Sequence, residues 1–239
     1  GFGEIFEKLS EKINFKNIHL NSPIRKIDHE YYHITNFDHG KGNGRGNGIF
    51  LNTLPLKVFI DCLNPAPPEE IISSLNQIMF RDLKVCVLFL NIPSFSKNAS
   101  IYYPDSSFPF TRIYEPKNRS KILAPKDKTC ILIEVPCTKN DSIHSMNDEE
   151  FFSKIFNCLL KNKLVFEKDL INHQILKMEN AYPIIKVDTD KHLKPVFQYL
   201  KKMKNLYNLG RNANFEYMHT HEIFRRSQQL IHQLDNSDN

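Results

Sequence analysis

The chain contains no tryptophan and only eight glycines in 239 residues, and five of those glycines crowd into residues 40–48. That run does not meet Gly-x-Gly-x-x-Gly in any register, and no helical pattern follows it. A phosphate cradle needs both features, so the run reads as a flexible hairpin loop. No apolar run reaches 18 residues, which excludes a membrane-spanning helix by sequence. No charged segment followed by an apolar core opens the sequence as a secretory leader would. Neither Gly-x-Ser-x-Gly nor a Cys/His nucleophile arrangement occurs. The five cysteines, Cys62, Cys86, Cys130, Cys137 and Cys158, are odd in number and not tightly spaced. They read as free thiols in a reducing compartment, and a cytoplasmic location is the expectation. The net charge of +5 is mild. Lysines and arginines are scattered, with Lys201, Lys202 and Lys204 as the densest group, read as a solvated helix end. Nucleic-acid binding is therefore not expected.

Against these absences stands ordinary globular material, 41% hydrophobic and 25% charged. The spacing of Ile5, Phe6, Leu9 and Ile13 predicts a helix over 3–14. Residues 18–28 predict two short strands around Pro23, and 31–37 another. A helix over 69–79 precedes a continuous apolar strand at 83–90. Strands are expected at 101–103, 111–114 and 129–135. A helix from Asn147 to Lys161 carries Phe151, Phe152, Ile155, Phe156 and Leu159 as its apolar stripe. Then come a strand at 170–178, an extended stretch at 181–187, a helix over 192–203 with Pro195 near its first turn, and a strand at 206–209. Order is expected to fail after Leu234. Strands with inserted helices, not in regular alternation, predict an α+β class: a mixed or antiparallel sheet with helices.

The most informative stretch runs from Asn205 to Glu222. It reads as a short buried strand, a Gly210-Arg211 turn, an aromatic loop and a helix start. Backbone N–H groups and the positive end of a helix dipole suit a negatively charged or electron-rich ligand there. His219 and His221 alternate as strand ligands of a metal would, but they stand at a helix start with no further ligands evident, so metal is not expected. His29 and His33 read as surface histidines. Tyr102, Tyr103, Phe108, Phe110 and Tyr114 surround Arg112 and Glu115. That group reads either as a core strand with a salt bridge or as a substrate wall in which aromatic faces bracket an apolar or sugar-like molecule.

Several segments together resemble the flavin-dependent amine oxidase and protoporphyrinogen oxidase superfamily, including its UDP-galactopyranose mutase-like members. They are the glycine-led helix at the start of the sequence, Asn21–Asp28, Phe50–Pro55, Phe108–Ser120, Ala181–Ile184 and Leu209–Tyr217. The resemblance implies FAD as cofactor. It places the Ile24 backbone at adenine, Gly210 and Arg211 beside the pyrophosphate and ribityl chain, and Tyr217 and Met218 at the flavin edge. Arg112, Tyr114 and Glu115 would face a small-molecule substrate. It further implies that residues 1–60 are a remnant of the FAD domain, 61–180 the substrate domain, 181–234 a return to the FAD side, and 235–239 a disordered tail. The Gly-rich ADP motif of such enzymes is not in this sequence, so the chain reads as the C-terminal half of a longer flavoprotein. Relatives usually carry an acidic residue where His221 stands and glycine where Ser227 stands.

Three functions follow as expectations: the substrate-binding portion of an FAD-dependent oxidoreductase that passes hydride from substrate to flavin; a mutase-like flavoenzyme acting on a nucleotide sugar; or a non-catalytic interaction module without cofactor. An FAD-binding partner half would cover apolar surface that this chain leaves exposed. The chain by itself is expected to self-associate, and light scattering at rising concentration checks this; a clean monomer throughout would contradict the half-enzyme reading.

Overall fold

The computed structural model describes residues 3–39, 42–45 and 48–237. In chain order the elements are α1 (Gly3–Ser10), β1 (Ile24–Glu30), β2 (His33–His39), β3 (Gly42–Arg45), β4 (Phe50–Asn52), α2 (Leu56–Asp61), β5 (Leu63–Asn64), α3 (Glu69–Leu75), β6 (Met79–Leu90), β7 (Ser100–Tyr102), β8 (Arg112–Tyr114), β9 (Thr129–Cys137), α4 (Ser142–Ser145), α5 (Asp148–Lys161), β10 (Leu170–Ile184), α6 (Thr189–Leu200), β11 (Leu206–Asn208), α7 (Arg211–Asn214) and α8 (Thr220–Ser237). The class is α+β, with mixed and antiparallel sheets. Two compact units form: Gly1–Asn14 with Arg81–Ala181, and Phe15–Phe80 with Tyr182–Asn239. The sequence reading draws its boundaries after residues 60, 180 and 234; the compact units change over after 14, 80 and 181. No helix among the described residues is long and apolar enough to cross a membrane.

The unit built mainly from 81–181 is a five-stranded sheet in the order β10-β6-β9-β8-β7. Along β9 burial alternates residue by residue, from Thr129 inward to Cys137 inward, as a strand with one covered face must. The covering element is α5. Its start is fixed by a capping box: the Asn147 side chain accepts the Glu150 N–H and the Glu150 carboxylate accepts the Asn147 N–H. Phe151, Ile155 and Leu159 of its stripe are fully buried with Cys86, Leu88, Ile131 and Ile133. Burial pushes the Cys86 thiol up to about 12, so it acts as a small apolar side chain.

The second unit holds a β3-β2-β1-β5 sheet and a separate parallel pair, β11-β4. Tyr31 and Tyr32 turn the β1–β2 hairpin in left-handed backbone. Ile27, Ile34, Phe59, Leu75, Val196 and Tyr199 form its core. Asn205 is 7% exposed within it. Its amide oxygen accepts the Ile34 N–H at 2.9 Å, and its amide nitrogen donates to the carbonyls of Ile34 and Gly48 at 3.0 Å each. Its own carbonyl accepts the Phe50 N–H at 2.7 Å.

Several expectations are corrected. Residues 18–21 form no strand; Asn21 turns through φ 53° and β1 begins only after Pro23, which has no N–H to give a ladder. Helix α3 stops at Leu75, and Met79 and Phe80 join β6 instead. Helix α6 starts at Thr189, whose hydroxyl accepts the Lys186 N–H, so Pro195 lies inside the helix rather than near its first turn. Helix α8 continues past Leu234 to Ser237. Part of the glycine run is a strand: β3 pairs with β2, and a Cβ on Gly44 would sit 2.1 Å from the Phe37 ring. Gly40, Lys41, Gly46 and Asn47 lie outside the described residues.

Replacing Asn205 by alanine should leave the buried N–H and carbonyl of Ile34 without their partner and release the carbonyl of the exposed Gly48. A loss of about 2–4 kcal/mol is expected, at roughly 1–3 kcal/mol for each unsatisfied group with partial relaxation. Urea unfolding measures it, and a loss within error of zero would show that water replaces the amide.

Candidate functional site

The C-terminal strand β11 runs parallel to β4, with Leu206, Tyr207 and Asn208 opposite Phe50, Leu51 and Asn52. Asn52 ties the exits of both strands. Its amide nitrogen donates to the Asn208 side chain at 2.9 Å, its amide oxygen accepts the Leu54 N–H at 2.9 Å, and its carbonyl accepts the Leu209 N–H at 2.9 Å. Gly210 follows at φ 85°, ψ 170°, a conformation L residues avoid. It is the one glycine after Gly48. A Cβ built on it meets nothing within 4 Å, so the backbone presents an open side there.

The short helix α7 then buries Ala213, and Phe215 turns in left-handed backbone to stack edge-on against Phe80 at 4.9 Å. This anchors the turn to the core. The Arg211 guanidinium lies over the Tyr182 ring at 4.8 Å. The Tyr182 and Tyr217 rings stack at 6.2 Å with 25° between planes. Tyr217 is 62% exposed and Met218 is buried. At the start of α8 the Glu222 carboxylate accepts the His219 N–H at 3.0 Å. That bond holds its carboxyl below the usual carboxylate range. His219 and His221 stack face to face at 5.7 Å, and among the described residues no three His, Cys, Asp or Glu gather as a metal site requires. His29, read as a surface residue, is buried, its Nε2 3.1 Å from the Pro65 carbonyl. The turn therefore brings Gly210, Arg211 and Tyr217 together with Tyr182. Ile24 heads β1 in the other sheet of the same unit, packed against the core that holds Phe215.

The proposed substrate residues lie in the other unit. Arg112 and Tyr114 point from β8 to its half-buried face, while Ile113 between them is buried. Arg112 faces Glu134 of β9: Nε donates to Oε2 at 2.9 Å and a terminal nitrogen to Oε1. Its guanidinium also lies 5.9 Å from the Tyr102 ring. The Glu134 hydrogen bonds raise the arginine above its already high range. Glu115 departs from expectation. It is 1% exposed, and its carboxylate accepts from Phe95 N–H, Ser96 N–H, the Asn118 amide and the Thr129 hydroxyl at 2.7–2.9 Å. It faces inward and organises a loop, and the salt bridge of Arg112 is made with Glu134 instead. Sequence reasoning missed Glu134 and the Tyr182 stack. The first lies 22 residues from Arg112, and only the register Arg112↔Glu134 exposes it.

Comparison with known proteins gives one partial family match and several likenesses of fold. Residues 69–166 match the family described as UDP-galactopyranose mutase. That span contains Arg112, Tyr114 and Glu134 and excludes Ile24 and Gly210. Among solved structures, reduced UDP-galactopyranose mutase superposes with a TM-score of 0.74 at 18% identity, over 91% of this chain and 47% of that one. A protein assigned as a protoporphyrinogen oxidase, from Exiguobacterium sp. 255-15, gives 0.70 at 16%, over 89% and 46%. Putrescine oxidase bound to putrescine gives 0.63 at 12%, over 89% and 47%. The likeness to these three structures is one of fold. No curated protein matches in sequence. The chain spans about half the length of these solved structures, 47% of the mutase.

Because the Cβ of residue 210 has room, Gly210→Ala tests the backbone alone. Forcing alanine to φ 85° should destabilise the chain by about 1–3 kcal/mol, read as a lower urea midpoint. An unchanged midpoint would mean that the turn relaxes and the left-handed geometry is not required.

Proposed function

We propose that this chain carries the flavin-edge and substrate-side surfaces of an FAD-dependent enzyme. The observation that carries the reading is the left-handed, open-sided Gly210 turn followed by the Arg211–Tyr182–Tyr217 stack. Open backbone at Gly210 admits a phosphate or ribityl chain at close range. A guanidinium matches phosphate oxygens, and the Tyr182 face fixes its plane. Tyr217 offers an aromatic face, the Met218 backbone N–H precedes a helix start suited to an electron-rich carbonyl, and the Ile24 backbone serves the adenine end. FAD would supply the redox chemistry, accepting hydride from substrate, while the protein binds and orients. In this reading Ile24, Gly210 and Arg211 supply part of the adenosine diphosphate site, and the Gly-rich cradle, absent from these 239 residues, would supply the rest. Arg112 and Tyr114 face the small-molecule substrate; Glu115, turned inward, is not assigned to it.

A second reading, a mutase acting on a nucleotide sugar, is favoured by the match over 69–166. It also draws on the unequal exposure of the Arg112–Glu134 pair, whose side chains are 30% and 15% accessible. An anionic substrate reaches the arginine more readily than a cationic one reaches the glutamate.

The test supplies a dinucleotide-binding half in trans with FAD and follows visible flavin absorbance through gel filtration. Flavin should elute with the protein, and Arg211→Ala should weaken retention about ten- to hundredfold, as hydrogen bonds to charged groups contribute about 1.5–3 kcal/mol. Circular dichroism verifies that the variant folds. Flavin absent from every combination would remove the cofactor role and leave the non-catalytic module.

A further inference from the structure

Residues 93–99 and 115–129 form a lobe of the 81–181 unit, strapped by two charges turned inward. One is the Glu115 carboxylate with its loop donors. The other is the Lys117 ammonium, which lies 2.8 Å from the Pro93 carbonyl, 2.6 Å from Pro125, 3.0 Å from Lys126 and 2.7 Å from Lys128. Three ammonium hydrogens are thus shared among four carbonyls, and the loop closes on itself around them. Short 3-10 turns at Pro116–Asn118 and Lys121–Leu123 complete it.

With those two charges used internally, the outer side is strongly cationic. Arg119, Lys121, Lys126 and Lys128 are exposed, and none makes an ion pair among the described residues. Across 116–128 five lysines and arginines face Asp127 alone, a net +4 out of +5 for the whole chain. The grouping of Lys201, Lys202 and Lys204 is not the main basic feature. Arg119, Ser120, Lys121 and Lys126 border a surface depression of about 520 Å³. Between the cations stand Ile122, 83% exposed, and Leu123, 40% exposed.

A single exposed isoleucine needs no explanation. An exposed apolar pair on a loop closed by inward charges, flanked by cations that make no ion pair among the described residues, has a specific complement: apolar side chains enter the acyl boundary while lysines and arginines meet phosphates. A soluble phosphate would satisfy the cations and leave Ile122 in water. Single-stranded nucleic acid would ask for aromatic stacking platforms, and 116–128 holds no aromatic residue. We propose that this lobe docks the protein on an anionic phospholipid membrane, peripherally, with Ile122 and Leu123 inserted and Arg119, Lys121 and Lys126 at the headgroups.

Flotation of the full chain with phosphatidylcholine vesicles, with and without phosphatidylserine, tests this. Binding is expected to the anionic vesicles only and to fall as salt rises. Reversing Arg119, Lys121 and Lys126 to glutamate should lower partitioning at least about tenfold. Ile122→Ser, which leaves charge untouched, should lower it about tenfold as well. The chain has no tryptophan, so Ile122→Trp adds a single indole whose emission should shift blue on anionic vesicles. Vesicle binding that Ile122→Ser leaves unchanged, or an indole that stays in water, overturns the proposal. Retention of inorganic pyrophosphate or polyglutamate by the same cations without vesicle binding also overturns it, in favour of a soluble anion or an acidic protein.

Discussion

The buried amide of Asn205 is the constraint on which the second unit depends. This unit is made of two stretches of chain, Phe15–Phe80 and Tyr182–Asn239. Bringing them together costs loop-closure entropy before any contact compensates. One side chain meets that cost at the seam. It replaces the strand partner that Ile34 would otherwise lack, holds the Gly48 carbonyl, and passes its own carbonyl to Phe50. The register of β11 on β4 follows, then the Asn52 clamp, then the position of Gly210. The Gly210 turn is the last consequence of a hydrogen-bonding pattern set five residues earlier.

A recurrent solution appears in the other unit: charges turned inward are satisfied by polar groups of nearby loops, and for the two lysines those groups are backbone carbonyls. Lys84, 3% exposed, donates to the carbonyls of Ile143 and Met146 and lies 5.0 Å from the Phe151 ring. Burial lowers its pKa. Lys117 does the same for the 93–129 lobe, and Glu115 there accepts from two backbone N–H groups and from side chains. Such groups are costly to desolvate, and each ties down a segment that also packs on the core, through Ile143 and Met146 or through Phe95. Arg211 differs in kind, since an aromatic face sets its plane.

The elements most legible in sequence were those whose information is local. The stripe and capping box of α5 lie within fifteen residues, and the alternation of β9 within nine. The glycine run was read as a flexible loop because its composition is local, whereas the need for Gly44 comes from the Phe37 ring on the neighbouring strand. Glu115 shows the same limit at the site. Three residues from Arg112, it looked like a partner or a substrate contact. Strand geometry turns odd and even positions to opposite faces, and the break after Tyr114 sends its carboxylate into the lobe. The stretch around Gly210 was legible because a lone glycine, an arginine and an aromatic helix start are adjacent in the chain. The Tyr182 ring that completes it is not.

Under the proposed function, the Arg112–Glu134 pair would limit what this face can select. In a half-buried site the two charges neutralise each other, and a substrate ion must displace one partner from the other. Displacing either leaves a partly desolvated charge to be matched. A cationic amine would have to draw Glu134 away from two arginine N–H groups, and that carboxylate is the less accessible member. An anion need only share the more exposed guanidinium, which still has N–H groups beyond the two given to Glu134. A neutral hydroxyl-rich group could bridge both without displacing either. If this face meets substrate as proposed, charge there disfavours simple amines and favours a hydroxylated or anionic molecule, which is the chemistry that a nucleotide sugar combines.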